Sequence, residues 1–119
     1  MNNKIKQDIY EFLKVHGVMT LATCEDNMPW VSTLYYGIDE EMNMYIVTDP
    51  NNVHGIQIVR NPQVAFNIFD SHQKITEPKK GVQGKGTIKM LKGLKWLTKR
   101  CHSISTMVLL ALAPHITGY

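Results

Sequence analysis

The stretch Thr48-Asp-Pro-Asn-Asn-Val-His-Gly55 is the part of this sequence best suited to holding an anion. It runs from a strand end through a polar loop to a helix start. The first turn of a helix presents unpaired N–H groups and partial positive charge, which suits a phosphate. Thr48 and Asn52 add side-chain hydrogen bonds. His54 adds a ring donor that charges when a phosphate dianion raises its pKa. The plainer reading is a turn with Asn52 as helix N-cap.

A second chemical stretch is Trp30 to Tyr36, which holds Trp30, Tyr35 and Tyr36 with Ser32 and Thr33 between them. Alternation along a strand sends Trp30, Ser32 and Leu34 one way, and Val31, Thr33 and Tyr35 the other. Such a strand offers backbone groups beside an aromatic wall, a fit for a flat ring. Ordinary core and interface packing is the plainer reading.

Other patterns exclude chemistry. Gly81-Val-Gln-Gly-Lys-Gly-Thr87 has only two residues between Gly81 and Gly84. A phosphate-binding P-loop needs four between its first glycine and its Gly-Lys pair. No GxGxxG occurs, so a dinucleotide-binding site has no support. The histidines, at 16, 54, 72, 102 and 115, lack metal-ligand spacing, and no metal is expected. Lysines 85, 89, 92, 95 and 99 with Arg100 form a basic run. At this spacing it is a solvated face, or a rim attracting an anion. No aromatic platform interleaves it, which argues against nucleic acid. Cys24 has no evident base, and no Ser-His-Asp grouping can be read from dispersed residues. Any redox or transfer chemistry therefore needs a cofactor.

The elements that hold these residues follow from periodicity. Ile5, Ile9, Phe12 and Leu13 predict one apolar helix face that stops at Gly17. Strands are predicted at Val18–Thr23, Trp30–Tyr36 and Met44–Thr48, with turns at 25–27 and 39–43. A short helix is predicted at Val53–Arg60, weakened by Gly55 and ended by Asn61-Pro62. Gln63–Asp70 and Val82–Leu91 follow as strands, the latter bent at its glycines. Lys92–Cys101 is an amphipathic helix, and Ser105–Ala113 a last strand closed by Pro114. Six strands with turn-sized links predict a small barrel, a mainly β fold of α+β type.

The chain has 119 residues, 44% hydrophobic and 19% charged, with formal net charge +3. This suits a single domain over residues 1–119 and argues against disorder. Cys24 and Cys101, without CxxC spacing, fit reduced cytosolic thiols. The N-terminus has no apolar signal-peptide core, and Met107–Ala113 is far shorter than the roughly 20 residues of a membrane span. A soluble cytoplasmic protein, without membrane or nucleic-acid partners, is expected.

Taken in order, His16-Gly-Val-Met-Thr-Leu-Ala-Thr23, Asn27-Met-Pro-Trp-Val-Ser-Thr33, Met44–Thr48, Asn52–Val64, Val82–Gly86 and Val108–Pro114 resemble one known family. It is the pyridoxamine 5′-phosphate oxidase-like family of flavin mononucleotide (FMN)-binding split-barrel proteins. The resemblance implies a six-stranded split β-barrel with peripheral helices. It also implies a homodimer with two FMN sites at the subunit interface, or sites for another flavin or a deazaflavin. The phosphate would lie near Thr48, Asn52 and His54. The ring would lie along Trp30, Val31, Ser32 and Thr33, with Gln83 nearby. The family often has Ser-Arg-Lys where this chain has Asn52-Val53-His54. Basic residues are also frequent at the positions of Ser32 and Gln83. Each charged hydrogen bond lost weakens phosphate binding by about 1.5–3 kcal/mol.

The expected function is a flavin-dependent oxidoreductase acting on a small molecule. Val31 and Ser32 would offer backbone contacts to the ring, with no acid or base assigned. The alternatives are a non-catalytic flavin, deazaflavin or haem-binding module, and a structural dimer with an empty cleft.

Overall fold

A computed structural model describes residues 3–77, 80–91 and 108–118, the last stretch by its backbone. The chain opens with helix α1 (Asn3–Val15). Ile9, Phe12 and Leu13 are buried, while Ile5 is half-exposed, so the apolar face narrows towards the N-terminus. The C-terminal carbonyls of α1 are met by side chains. The Tyr36 hydroxyl donates to Leu13 O at 2.7 Å, and His16 Nδ1 lies 2.7 Å from Phe12 O. Such caps satisfy acceptors that a helix end leaves open. Burial pushes the Tyr36 hydroxyl pKa well above its ordinary value.

Strands β1 (Val18–Glu25) and β2 (Met28–Tyr35) form a hairpin joined by Asp26 and Asn27. Both turn residues have positive φ, 49° and 63°. Asp and Asn tolerate that region, and this two-residue turn matches the twist of the strands. Strand β3 (Gly37–Ile38) follows after one residue, then β4 (Met44–Thr48). Helix α2 (Val53–Arg60) leads to β5 (Gln63–Phe69), β6 (Gly81–Leu91) and β7 (Val108–Gly118).

All pairings are antiparallel, in the order β2-β1-β5-β6-β7-β4-β3. The two outermost strands of that order, β2 and β3, are consecutive in the chain with only Tyr36 between them. The sheet must therefore curl until its edges meet, and β2 lies against β4. Alternate residues point inward. Met19, Leu21, Met44, Ile46, Val64, Phe66, Ile68, Val82 and Ile88 form the core with the buried face of α1 and Ile58 of α2. Each fully buried aliphatic side chain contributes roughly 1.5–3 kcal/mol.

Two expectations change, and the helix predicted at Val53–Arg60 forms despite its glycine. The two-residue β3 makes seven strands where six were predicted. The last strand continues through Pro114 to Gly118 instead of closing there. Strand β4 pairs only with residues 108–112, so a missing N–H at Pro114 is tolerated on the open side. Gly55 lies inside a formed helix. A Cβ on Gly55 would stand 2.7 Å from Pro50 O and 2.8 Å from Asp49 O. Glycine is there because the loop packs directly on the helix backbone. The predicted bend in β6 is a register shift against β7 between Gln83 and Gly84. The helix expected at Lys92–Cys101 lies outside the described residues.

Candidate functional site

The strongest polar cluster lies where the curled sheet meets itself. Ser32 comes from β2, Thr48 from the end of β4, and His54 from the first turn of α2. His54 Nδ1 lies 3.1 Å from Ser32 Oγ, and Nε2 lies 2.6 Å from Thr48 Oγ1. The imidazole thus bridges β2 and β4, which belong to opposite ends of the strand order. His54 is 5% exposed and Thr48 4%. Burial lowers the His54 pKa, partly offset by the negative charge of Asp49. The free protein therefore holds a neutral ring at pH 7. This differs from the expectation of an open donor, because both ring nitrogens are engaged within the chain.

Alternation explains the grouping. Thr48 points inward like Met44 and Ile46 on the same strand. His54 lies on the buried side of α2 with Gln57 and Ile58. Asn52 occupies the N-cap position with extended backbone, but its side chain makes no cap hydrogen bond. It is exposed beside the start of α2.

The other predicted ring residues divide between two faces. Trp30 is on the Ser32 side of β2, paired with Thr23 and 46% exposed. Val31 and Thr33 are on the opposite side. Thr33 pairs with Thr20, Thr20 with Asn67, and Asn67 with Gln83. Gln83 thus shares a cross-strand row with Thr33 but lies three strands away, about 14 Å at ordinary strand spacing. Within one chain, Gln83 is not beside the Ser32–His54–Thr48 cluster.

Gln57 and Thr23 were not identified from sequence. Thr23 Oγ1 donates to Gln57 Oε1 at 2.6 Å, and Gln57 Nε2 donates to Met28 O at 3.2 Å. Asn61 Nδ2 donates to Cys24 O at 2.8 Å, and Arg60 pairs with Glu25 at 2.7 Å. These bonds fix α2 to the β1–β2 hairpin and so hold His54 in place. The 54/57/58/61 spacing was the available signal, one helix side carried past the helix end.

On another side of α2, an apolar hollow of about 280 Å³ is lined by Pro50, Ile58, Val59, Pro62 and Met90 among others. It lacks the convergent polar groups that orient a cofactor. Among the described residues, no three His, Cys, Asp or Glu side chains gather as a metal site.

The family model described as pyridoxamine 5′-phosphate oxidase matches residues 5–105. The chain belongs to the pyridoxamine 5′-phosphate oxidase family. A UPF0306 protein of Pasteurella multocida is 36% identical over 62 residues, covering 51% of this chain and 42% of that protein. A UPF0306 protein of Yersinia pseudotuberculosis is 30% identical over 86 residues, covering 71% and 58%. The chain thus spans about half the length of these relatives. HutZ, a haem storage protein of Vibrio cholerae, has the same fold with a TM-score of 0.74 and 17% identity, over 95% of this chain and 91% of HutZ. A Mesorhizobium loti FAD-binding protein gives a TM-score of 0.72 and 18% identity, over 95% and 94%. The fold is therefore the split barrel of this family. No helix among the described residues is long and apolar enough to cross a membrane.

For a flavin phosphate, the corner offers hydroxyls, an amide, an imidazole and a helix start. The Ser32, His54 and Thr48 side chains are bonded to one another, so Asn52 and the N–H groups at the start of α2 are the groups of this corner best placed to meet an anion, with no lysine or arginine in the cluster.

Proposed function

We propose that this chain is an FMN-binding oxidoreductase that works as a cytoplasmic homodimer on a small molecule. The observation that carries the reading is the Ser32–His54–Thr48 cluster, set beside the start of α2 on a fold whose family name is a phosphate-substrate oxidase. Thr48, Asn52 and His54 would hold the phosphate end. Trp30, Val31, Ser32 and Thr33 would line the ring, and Gln83 would belong to the wider site. When bound, FMN supplies the redox chemistry, while these residues bind and orient.

The homodimer is supported by the surface of β2. Met28, Trp30, Val31 and Tyr35 are 66%, 46%, 62% and 82% exposed. Apolar groups concentrated on one strand favour burial against a second copy. Gln83, remote from the cluster in its own chain, would then approach a site through that contact.

A second reading is a non-catalytic flavin or haem carrier. The cluster contains no carboxylate or free thiol, and its imidazole is engaged at both nitrogens, which favours this reading. Haem is disfavoured within the cluster because both nitrogens of His54 are engaged. Absorbance spectra before and after FMN addition, with mass by light scattering, test the proposal. A bound-flavin spectrum in a dimer upholds it. A colourless monomer that takes up no flavin refutes it. Bound flavin that NAD(P)H does not reduce, with no substrate turnover, selects the carrier.

A further inference from the structure

We infer that the apolar hollow beside α2 is the docking surface for this chain's own residues 92–107, the link from β6 to β7, which lies outside the described residues. The inference does not depend on the flavin reading. Helix α2 shows why this surface needs a partner. Its sequence, Val-His-Gly-Ile-Gln-Ile-Val-Arg, carries one charged residue, Arg60, at its end. His54, Gln57 and Ile58 are buried, yet Val53, Ile56 and Val59 are exposed. A helix that is apolar on nearly every side belongs in an interior. Beside it the hollow of about 280 Å³ reaches from Pro50 and Pro62 to Met90 of β6, which is also exposed. Small-molecule sites occupy about 300–1,000 Å³ and bring polar groups together. This smaller, apolar space suits protein side chains better.

The topology supplies the occupant. Strands β6 and β7 are antiparallel neighbours, with Leu91 opposite Leu109. Such neighbours are usually joined by about two to five residues, but here sixteen intervene. Met90 lines the hollow one residue before β6 ends. Val108, the first residue after the link, pairs with Thr48, two residues before Pro50. Both ends of the link are thus fixed beside the hollow. Within the link, Leu94, Leu97 and Cys101 recur at helical spacing against Lys92, Lys95 and Lys99. A helix over 92–101 would rise about 15 Å. The six residues after it can return across about 20 Å at most. The link's apolar stripe and the hollow are therefore held at one end of the barrel. Tethering also gives the link a local concentration of about millimolar, an advantage that a second copy lacks.

Methyl NMR of the whole chain tests this. Nuclear Overhauser contacts are expected from Leu94 or Leu97 to Val59 and Met90. A sample mixing two differently labelled copies shows whether they arise within one chain. Contacts within one chain uphold the inference. Contacts only between copies, or none from Val59 and Met90 to either leucine, overturn it. Should exchange broaden those methyl signals, urea unfolding decides. Leu97→Ala and Val59→Ala should each lower the folding constant. The double variant should lose about threefold less than the product of the two losses, as residues in contact do. Lys95→Ala combined with Val59→Ala should give the simple product. A simple product for Leu97→Ala with Val59→Ala would overturn the docking.

Discussion

The two faces of strand β2 are finished differently. On one, Ser32 meets His54, and Thr23, opposite Trp30, meets Gln57. These polar groups are bonded within the chain, and no buried side-chain polar atom among the described residues lacks a partner. On the other, Val31, Thr33 and Tyr35 stand exposed beside Val18, Thr20 and Ala22 of β1. The first face carries the bonded cluster, and the second is an exposed surface that the proposed dimer would cover. A substitution should therefore cost folding stability on the first face and association on the second.

The largest expected effect is on the side of the bonded cluster. Gly55→Val should lower stability by about 3 kcal/mol, because Cβ would strike the loop carbonyls. Thermal melting should show a drop of roughly 10 °C. An unchanged midpoint would mean that the loop over α2 yields easily. Thr23→Val should cost about 2 kcal/mol in urea titrations, since it leaves buried Gln57 Oε1 without its donor.

Acid sharpens the same contrast. The His54 pKa is depressed in the folded chain, so the unfolded chain takes a proton first, near pH 6.5. Its contribution to stability is full above that value and is lost as pH falls through the lower folded pKa. Wild type should therefore lose more stability than His54→Gln between pH 7.5 and 5.5, measured by urea midpoints. Parallel losses would contradict a buried neutral ring.

On the outer face, Tyr35→Lys should change monomer stability by no more than about 0.5 kcal/mol. It should nevertheless shift sedimentation towards monomer. The smallest effect is expected from Arg60→Ala, which removes an ion pair whose arginine is 66% exposed. Such pairs contribute about 0–1 kcal/mol.

Much of this arrangement was legible from residue order. The turn at 25–27, the alternation of Met44–Thr48 and the Asn61-Pro62 break are local signals, and each matches an element of the structure. The corner linking Thr48 to His54 was also local, six residues apart. What could not be read was which distant side chain the corner would meet. Ser32 and His54 come together only because the sheet curls, and curling follows from pairing between strands far apart in sequence. Gln57 was missed for a related reason. A polar residue in a short helix looks solvated until its partners, Thr23 and the Met28 carbonyl, are in place. The length of β7 depended on its pairing with β6 through Gly118, which Pro114 alone could not reveal.

The central claim is that the β2–β4 seam beside α2 holds the phosphate of a flavin. A crystal structure of the protein with FMN tests it most directly. The account predicts the phosphate within hydrogen-bond distance of Thr48 or Asn52, at the start of α2. A flavin whose phosphate lies elsewhere, with Ser32, His54 and Thr48 bonded only to one another, would contradict it.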